Sequence, residues 1–309
     1  MNKSIILGVS LSLVGSFGCA DFAPGSRVSS FRVLAMQTDA PFAKPGETVN
    51  LTTLSYDPQG RAINWAWAVC VNPSASTVDG CLQKIAMDAA TSGASPIVAQ
   101  GDGMDTFSYT IPHDALSSLP PAARPSALVG VLSVACPGEL TFDAAASDAP
   151  FHCADADTHR ELAPDEYVIG LKRISVRATD RNQNPSIEGV VFDGKDWPEG
   201  LVPTVSACDT HNNDYDKCPD ATKHQVAVQV SADSVESDTS EFGVPFSEQV
   251  IIEYYSTEGT FEHEIKIAAD PQTGWAARKA ASGQDLSMWF VVHDDRGGQT
   301  WTSRVVHVE

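Results

Sequence analysis

The stretch INWAWAV, residues 63–69, decides how this chain folds. Its large apolar residues alternate with small or polar ones, and they are Ile63, Trp65, Trp67 and Val69. Successive side chains of a strand point to opposite faces of a sheet, so this spacing predicts a half-buried strand. The residue types of Asp57-Pro-Gln-Gly60, just before it, predict a turn.

Further segments on both sides of this strand are rich in β-branched and aromatic residues. They lie at residues 28–36, 48–56, 105–111, 127–135, 167–178, 187–192, 224–231, 249–255, 260–267, 286–293 and 300–308. Turn residues separate them, and no long 3.6-residue period follows the leader, so we predict an all-β fold of the sandwich type. Residues 136–165, polar and rich in Ala and Asp, are interpreted as a loop with at most one helical turn.

The chain length favours two domains. About 290 residues follow the leader, which is roughly twice the size of an ordinary domain. Residues 181–186 are polar and end in Pro185-Ser186, typical of a linker. We therefore predict one β-sandwich domain over residues 28–180 and a second over residues 187–309.

The N-terminus has the pattern of an export signal. Lys3 carries a positive charge, an apolar run covers residues 5–14, and small residues precede Cys19 in SLVGSFGCAD, residues 12–21. The apolar run is too short for a membrane-spanning helix, which needs about 20 residues. We interpret residues 1–18 as a lipoprotein signal peptide and residues 19–27 as a flexible tether. Cleavage after Ala20, which would discard Cys19, is one alternative, and a disulfide at Cys19 is the other.

Six cysteines follow Cys19 in three couplets, Cys70/Cys81, Cys136/Cys153 and Cys208/Cys218. Cysteines in even number in an exported chain predict disulfides, although six allow 15 connectivities. We expect pairing within each couplet, because each pair would close a polar loop. Cys19 then lacks a thiol partner, which favours lipid attachment. Stable anchoring needs more than one acyl chain, as lipoprotein processing supplies.

The net charge of −20 opposes binding to nucleic acid or to an anionic bilayer surface. It favours solubility, or partial neutralisation by divalent cations outside the cell. The acidic loop most suggestive of a metal site runs from Cys208 to Asp220 and is similar to thrombospondin type 3 calcium repeats. Its candidate calcium ligands are the side-chain oxygens of Asp209, Asn212, Asp214, Asp216 and Asp220.

This acidic segment lacks the glycine and glutamate of an EF-hand, so a solvated loop is the alternative. A second polar cluster contains possible zinc ligands, which are His152, Asp155, Asp157 and His159. His263-Glu264 begins like a zinc-protease motif, but position 267 is Ile. The sequence contains no nucleophile elbow, P-loop or dinucleotide motif, and we assign no catalytic residue.

Tryptophans have two interpretations. Their alternation with polar or small neighbours favours sandwich core or inter-domain packing, while a carbohydrate-binding platform is the alternative. The residues concerned are Trp65, Trp67, Trp289 and Trp301.

Two segments resemble the closing strands of bacterial Ig-like (PKD-like) domains. One is residues 168–180 followed by Asn182-Gln-Asn-Pro185, and the other is residues 290–299 followed by Trp301 and residues 305–308. The chain as a whole resembles myxobacterial-type cell-envelope lipoproteins with tandem Ig-like domains. The resemblance implies two Ig-like sandwiches and carries no catalytic residues. In that fold, the strands ending at Cys70 and Cys136 would be antiparallel, which separates these two cysteines and supports pairing within couplets.

We therefore expect a non-catalytic, lipid-anchored protein of the cell envelope, held at the outer membrane by lipid on Cys19. Its Ig-like domains would serve structural, adhesive or partner-binding roles, with an envelope protein or a glycan as partner. No cofactor is expected beyond the possible calcium. The alternative is a secreted carbohydrate-active hydrolase or its glycan-binding accessory protein.

Overall fold

The computed structural model describes residues 24–93, 95, 97–142, 151–209 and 214–309. The predicted signal peptide and Cys19 lie outside these residues. The described chain is predominantly β, which confirms the predicted fold class. None of its helices is long and apolar enough to cross a membrane.

The first sandwich, domain 1, is built from strands between residues 32 and 176. The elements are β1 (Arg32–Thr38), β2 (Phe42–Ala43), β3 (Thr48–Tyr56), β4 (Asn64–Val71), α1 (Val78–Ser92), β5 (Ile97–Asp102), β6 (Thr106–Thr110), a 3-10 helix (Pro121–Ser126), β7 (Leu128–Cys136), β8 (Glu139–Phe142), β9 (Phe151–Ala154) and β10 (Val168–Val176). One sheet has the order β1-β3-β6 and the other the order β2-β10-β7-β4-β5, while β8 and β9 form a separate hairpin.

The second sandwich, domain 2, contains the remaining strands. They are β11 (Ile187–Phe192), β12 (Lys195–Asp196), β13 (Thr204–Val205), β14 (His224–Val230), β15 (Ser237–Thr239), β16 (Pro245–Ser247), β17 (Val250–Ser256), β18 (Thr260–Phe261), β19 (Ile265–Ile267), β20 (Thr273–Ala276), β21 (Gln284–Asp294) and β22 (Gln299–Val308). Short 3-10 helices lie at Tyr215–Lys217, Asp220–Thr222, Ala232–Ser234 and Lys279–Ala281. The sheets have the orders β12-β11-β14-β20-β18 and β13-β22-β21-β17-β19, and β15 and β16 form a hairpin.

Both sandwiches have the strand order of Ig-like domains. In domain 1 the first, second and fifth main strands (β1, β3, β6) share one sheet, and the third, sixth and seventh (β4, β7, β10) share the other. In each domain a two-residue strand near the start pairs in parallel with the last strand, β2 with β10 and β13 with β22. The order of the strands thus confirms two tandem Ig-like sandwiches.

Strand β4 is buried on both of its faces, more deeply than the alternation at residues 63–69 predicted. Trp65 and Trp67 are at most 1% exposed and lie in the core between the two sheets of domain 1. Ala66 and Ala68, on the opposite face, lie in a second apolar cluster beneath α1 and the β8–β9 hairpin. Domain 1 therefore has an additional layer outside its larger sheet.

The additional layer corrects the sequence-based expectations. The chain was expected to lack a long helix, yet α1 has 15 residues. The Thr77 side chain caps its N-terminus by accepting a hydrogen bond from Gly80 N. Residues 136–165 were expected to form a loop, yet they contain the β8–β9 hairpin. Cys81 and Ile85 of α1 pack on β4 and β7 because they supply the helix's narrow apolar side.

Disulfides join the cysteines within each predicted couplet. The bonded pairs are Cys70–Cys81, Cys136–Cys153 and Cys208–Cys218. The first attaches α1 to β4, and the second attaches the β8–β9 hairpin to the end of β7. Strands β4 and β7 are antiparallel, with Asn64 opposite Cys136, so Cys70 and Cys136 lie at opposite ends of the pair, as the resemblance implied.

Candidate functional site

Residues 24–28 run along domain 2 before the chain enters domain 1. Val28 N donates to the Ser256 carbonyl at 2.8 Å, and Ser256 N donates to the Ser26 carbonyl at 2.9 Å. Ser26 Oγ also donates to the Glu264 carboxylate at 2.9 Å, and Arg27 pairs with Glu258 at 3.2 Å. The described part of the predicted tether, residues 24–27, is therefore docked on domain 2 rather than free.

The two domains share an apolar contact. Leu34 and Ala35 of β1, with the partly buried Tyr56 of β3, pack against Trp289 and Val291 of β21. The rings of Tyr56 and Trp289 lie 4.8 Å apart. Since the core of domain 2 is on the other side of β21, this contact covers the outer face of the β13-β22-β21-β17-β19 sheet. An outer face that normally meets solvent is here buried against a neighbouring domain.

Arginine and phenylalanine side chains alternate across the same junction. Phe42 of β2 lies between the guanidinium groups of Arg177 and Arg296, at 5.1 and 4.6 Å from its ring centre. Arg177 also lies over Phe242, and Arg296 lies 3.7 Å from the ring centre of Phe246. Because Phe242 and Phe246 lie at the β15–β16 hairpin, cation–π contacts attach this hairpin of domain 2 to domain 1.

Glu241, in the turn of the β15–β16 hairpin, forms hydrogen bonds with the last residues of domain 1. Its carboxylate accepts hydrogen bonds from the N–H groups of Ala178, Thr179 and Asp180 at 2.7–3.1 Å. In return, Glu241 N donates to the Asp180 carboxylate at 2.8 Å. Burial works to raise the pKa of Glu241, but these donors outweigh it and the pKa is lowered. The contact therefore favours an ionised Glu241.

The predicted linker, residues 181–186, takes part in the junction. Asn182 is 5% exposed, and its Nδ2 donates to Asp294 Oδ2 at 3.1 Å. Asn184 Nδ2 donates to the Thr38 carbonyl at 2.8 Å, and Gln299 N donates to Asn184 Oδ1 at 2.9 Å. These amide side chains therefore join β1, the connecting segment and the last hairpin of domain 2 into one hydrogen-bonded network.

A cavity of about 560 Å³ lies beside this network, between β1, β10 and the turn at residues 294–297. Lys172 lines it and donates from Nζ to the Gly297 carbonyl at 2.8 Å. Burial lowers the pKa of Lys172 to about 8. The lining also contains Arg173, Asp294 and Asp295. The mixed charges of this lining suit polar contacts with a ligand or water.

The acidic loop does not gather its described carboxylates around a common point. Asp209 pairs with Lys279, Asp214 with Lys217 and Asp220 with Lys223, and Asp216 N donates to Asp214 Oδ1. Asn212 lies outside the described residues. Among the residues that the structure describes, no three His, Cys, Asp or Glu side chains are placed to hold a metal ion. Calcium binding at this loop stays a prediction.

The candidate zinc residues of domain 1 have other neighbours. His152 Nδ1 lies 2.9 Å from Glu161, and His159 Nδ1 lies 3.4 Å from Glu139. Asp155 accepts hydrogen bonds from Asp157 N and Thr158 N, which closes a turn. The structure thus does not bring the predicted set together.

Tryptophan side chains occupy cores and the domain junction. Trp65 and Trp67 are buried in domain 1, Trp289 is 7% exposed at the junction, and Trp301 is partly buried beside it. Trp65, Trp67 and Trp289 are covered by protein, which agrees with the packing interpretation made from the sequence. Sequence reasoning did not identify the buried Trp197 and Trp275 of domain 2, which stand outside any clear alternation.

The polar part of the junction was missed from the sequence. Its charged and amide residues, such as Glu241 and Asn184, stand in segments that look like ordinary polar loops. The signal that was available is the pair Phe242 and Phe246, two aromatic residues in a short segment that contains Gly and Pro. Aromatic side chains in such a loop indicate packing against another part of the protein.

Comparisons with known proteins add little to the geometry. No family model matches the chain, and no curated protein is similar to it. Among solved structures, the D0-D1 domain of intimin is 10% identical with a TM-score of 0.21, over 89% of this chain and 98% of that one. Murine CEACAM1b is 8% identical with a TM-score of 0.22, over 89% and 100%. A chimeric titin Z1Z2 tandem is 10% identical with a TM-score of 0.22, over 90% and 99%. Similarities this low carry no conclusion, and the Ig-like assignment rests on strand order.

Proposed function

We propose that this chain is a non-catalytic, lipid-anchored protein of the cell envelope that presents two Ig-like domains as one body. The observation that carries the proposal is the domain junction. Residues 24–28, the linker and the β15–β16 hairpin each join the two domains, as described above. A fixed pair of sandwiches suits presentation of a surface to an envelope protein or a glycan, because a preformed surface loses little entropy on binding.

Two described histidines of domain 2, His224 and His307, support a non-catalytic role. His224 pairs with Asp193 at 2.8 Å, as in a catalytic dyad, but its ring stacks on Phe192 and its Nε2 is buried without a hydrogen-bond partner. A general base must reach the proton that it removes. His307 pairs with Asp285 on an exposed part of the sheet, away from any enclosed pocket described above.

Disulfide bonds support an oxidising compartment, since such bonds persist outside the cytosol. Cys19 stands apart from them, and only four residues separate it from Pro24, where the docked segment begins. Lipid on Cys19 would hold the protein at the outer membrane through this segment. The binding partner of the two domains would then be another component of the envelope.

Metabolic labelling with palmitate tests the anchor. The wild-type chain, expressed with its leader in a Gram-negative host, is expected to incorporate label and to accumulate as precursor in globomycin. Cys19→Ser is expected to lose the label and to be released as soluble protein, while Cys208→Ser keeps the label. Unlabelled wild-type protein contradicts the anchor.

Capture from envelope fractions tests the presenting role. The purified wild-type protein is expected to retain a specific envelope component, and to lose it when the junction is opened by Glu241→Ala. Turnover of glycan or ester substrates by the wild-type protein contradicts a non-catalytic function.

A further inference from the structure

The β13-β22-β21-β17-β19 sheet of domain 2 has an uncovered apolar margin. Ile265 and Ile267 on the edge strand β19 are 61% and 41% exposed. They lie opposite Glu253 and Ile251 of β17, on the face that points away from the core of domain 2. Domain 1 covers the centre of this face at Trp289. We call the uncovered part, Ile251, Ile265 and Ile267, the β19 margin.

The N-terminal end of the docked segment, residues 24–28, lies beside the β19 margin. Ser26 Oγ donates to Glu264, the residue before Ile265, and the Glu264 side chain also lies against Gly25. Cys19 precedes Pro24 by five positions. Five residues span at most about 18 Å, even when fully extended. A lipid on Cys19 therefore enters the bilayer close to the β19 margin.

We propose that the β19 margin rests on the bilayer surface. The proposal depends on lipid attachment to Cys19, as proposed above, and it adds which face of the protein meets the lipid. The short connection keeps the margin at a high effective concentration next to the membrane. Isoleucine side chains partition favourably into the interfacial region, whereas an outer sheet face exposed to water is usually polar.

The charges around the margin fit an uncharged lipid surface. Lys266, which alternates to the opposite face of β19, is paired with Asp270 at 2.7 Å. On the face of the margin itself, His293 lies 3.7 Å from Glu253. The chain as a whole carries a net charge of −20, which opposes contact with anionic headgroups. The margin therefore meets zwitterionic lipid by apolar contact, with the covalent tether supplying proximity.

Hydrogen exchange on tethered protein tests the contact directly. The chain from Cys19 onward, with its other cysteines in disulfides, is coupled through Cys19 to a maleimide lipid in phosphatidylcholine vesicles. Exchange is compared with the same chain whose Cys19 is capped. Tethering is expected to slow exchange in residues 262–270 by roughly tenfold, which corresponds to about 1.4 kcal/mol of added protection. Residues 97–102, an edge strand of domain 1, are expected to be unchanged.

Matched variants separate lipid contact from other causes. The double change Ile265→Ser with Ile267→Ser is expected to abolish the added protection, while Val98→Ser, at a residue 56% exposed on β5, leaves it unchanged. Circular dichroism and calorimetry check that each variant is folded.

Three results would overturn the proposal: no added protection of residues 262–270, protection that survives the double change, or exchange of these residues that slows in the capped chain without vesicles when the protein concentration is raised. The last result would indicate a second copy on the margin. In this experiment the lipid is coupled to Cys19 chemically. A failure of palmitate labelling in cells would therefore contradict the natural lipid anchor alone, and the exchange result could still be interpreted.

Discussion

Gly130 of β7 lies directly beneath the Cys70–Cys81 disulfide. A Cβ at this position would lie 2.5 Å from Cys70 Sγ and 3.3 Å from Cys81 Sγ. Since both sulfurs are buried and bonded, neither can move aside easily. We predict that Gly130→Ala destabilises the protein by about 1–3 kcal/mol, the usual effect of overpacking.

Urea unfolding followed by tryptophan fluorescence measures this loss. Gly189→Ala is the matched control, because its Cβ would meet the flexible end of Gln229 at 3.0 Å. The control is expected to be neutral or slightly stabilising, as alanine is in a strand. Equal stability of Gly130→Ala and wild type would contradict the packing described for the disulfide.

His293 gives the stability a specific dependence on pH. Its contact with the Glu253 carboxylate raises the pKa of His293, and the same contact lowers the pKa of Glu253. Because the pKa of His293 is raised, its contribution to the free energy of unfolding is fully present below pH about 6.5. This contribution is lost as the pH rises through the folded-state pKa. The lowered pKa of Glu253 means that its contribution is lost in acid, below pH about 4.5.

We therefore predict that His293→Gln removes up to about 1 kcal/mol of stability near pH 6 and little near pH 8.5. Denaturant midpoints at both pH values measure the difference. His307→Gln, which removes a more exposed pair with Asp285, is the control and should leave the dependence on pH in place. Equal losses at both pH values would exclude the ion pair as the cause.

Helix α1 is joined to domain 1 by a disulfide and by a small apolar contact. Of its residues, Gly80, Cys81 and Ile85 are buried, which is a small apolar contact for a 15-residue helix. The Cys70–Cys81 bond closes a loop with a sequence separation of 11. We predict that replacing both cysteines by alanine costs about 3 kcal/mol and speeds amide exchange throughout α1.

The control for α1 is the same change at Cys208 and Cys218, which are separated by 10 residues in domain 2. It is expected to cost a similar free energy without affecting exchange in α1. Calorimetry and hydrogen exchange with mass spectrometry measure the two effects. Unchanged exchange in α1 after removal of Cys70–Cys81 would show that packing alone holds the helix.

Elements differ in how well the sequence predicted them. The alternation at residues 63–69 predicted β4, because every second side chain faces the core between two sheets. It did not predict that Ala66 and Ala68 are also buried, since small residues are compatible with solvent or with a covering layer. That layer was missed because α1 has a narrow apolar side and β8 and β9 have only four residues each.

The candidate site was less predictable than the fold. Disulfide pairing followed from short separations along the chain, but the junction depends on distant residues such as Phe42 and Arg296. Its hydrogen bonds come from Asn and Glu side chains in loops, whose composition is the same whether they face solvent or another domain. Local patterns therefore indicate strands, and long-range geometry determines which polar residues matter.

The whole molecule is held as one body by contacts at several points. The apolar contact at Trp289, the stack around Phe42 and the carboxylate of Glu241 all join the domains. Inter-domain contacts of this kind determine whether domains unfold together. We predict that the wild-type protein unfolds in a single calorimetric transition.

Glu241→Ala tests this coupling at one point. The change removes the acceptor for Ala178, Thr179 and Asp180, and we expect it to cost about 1–3 kcal/mol, as for hydrogen bonds to a charged group. Because these contacts join the domains, the loss should separate the single transition into two. Asp233→Ala, at an exposed position of the same domain, should keep one transition. Two transitions already present in the wild-type protein would mean that the domains are not coupled, and that the junction cannot fix their arrangement at a membrane.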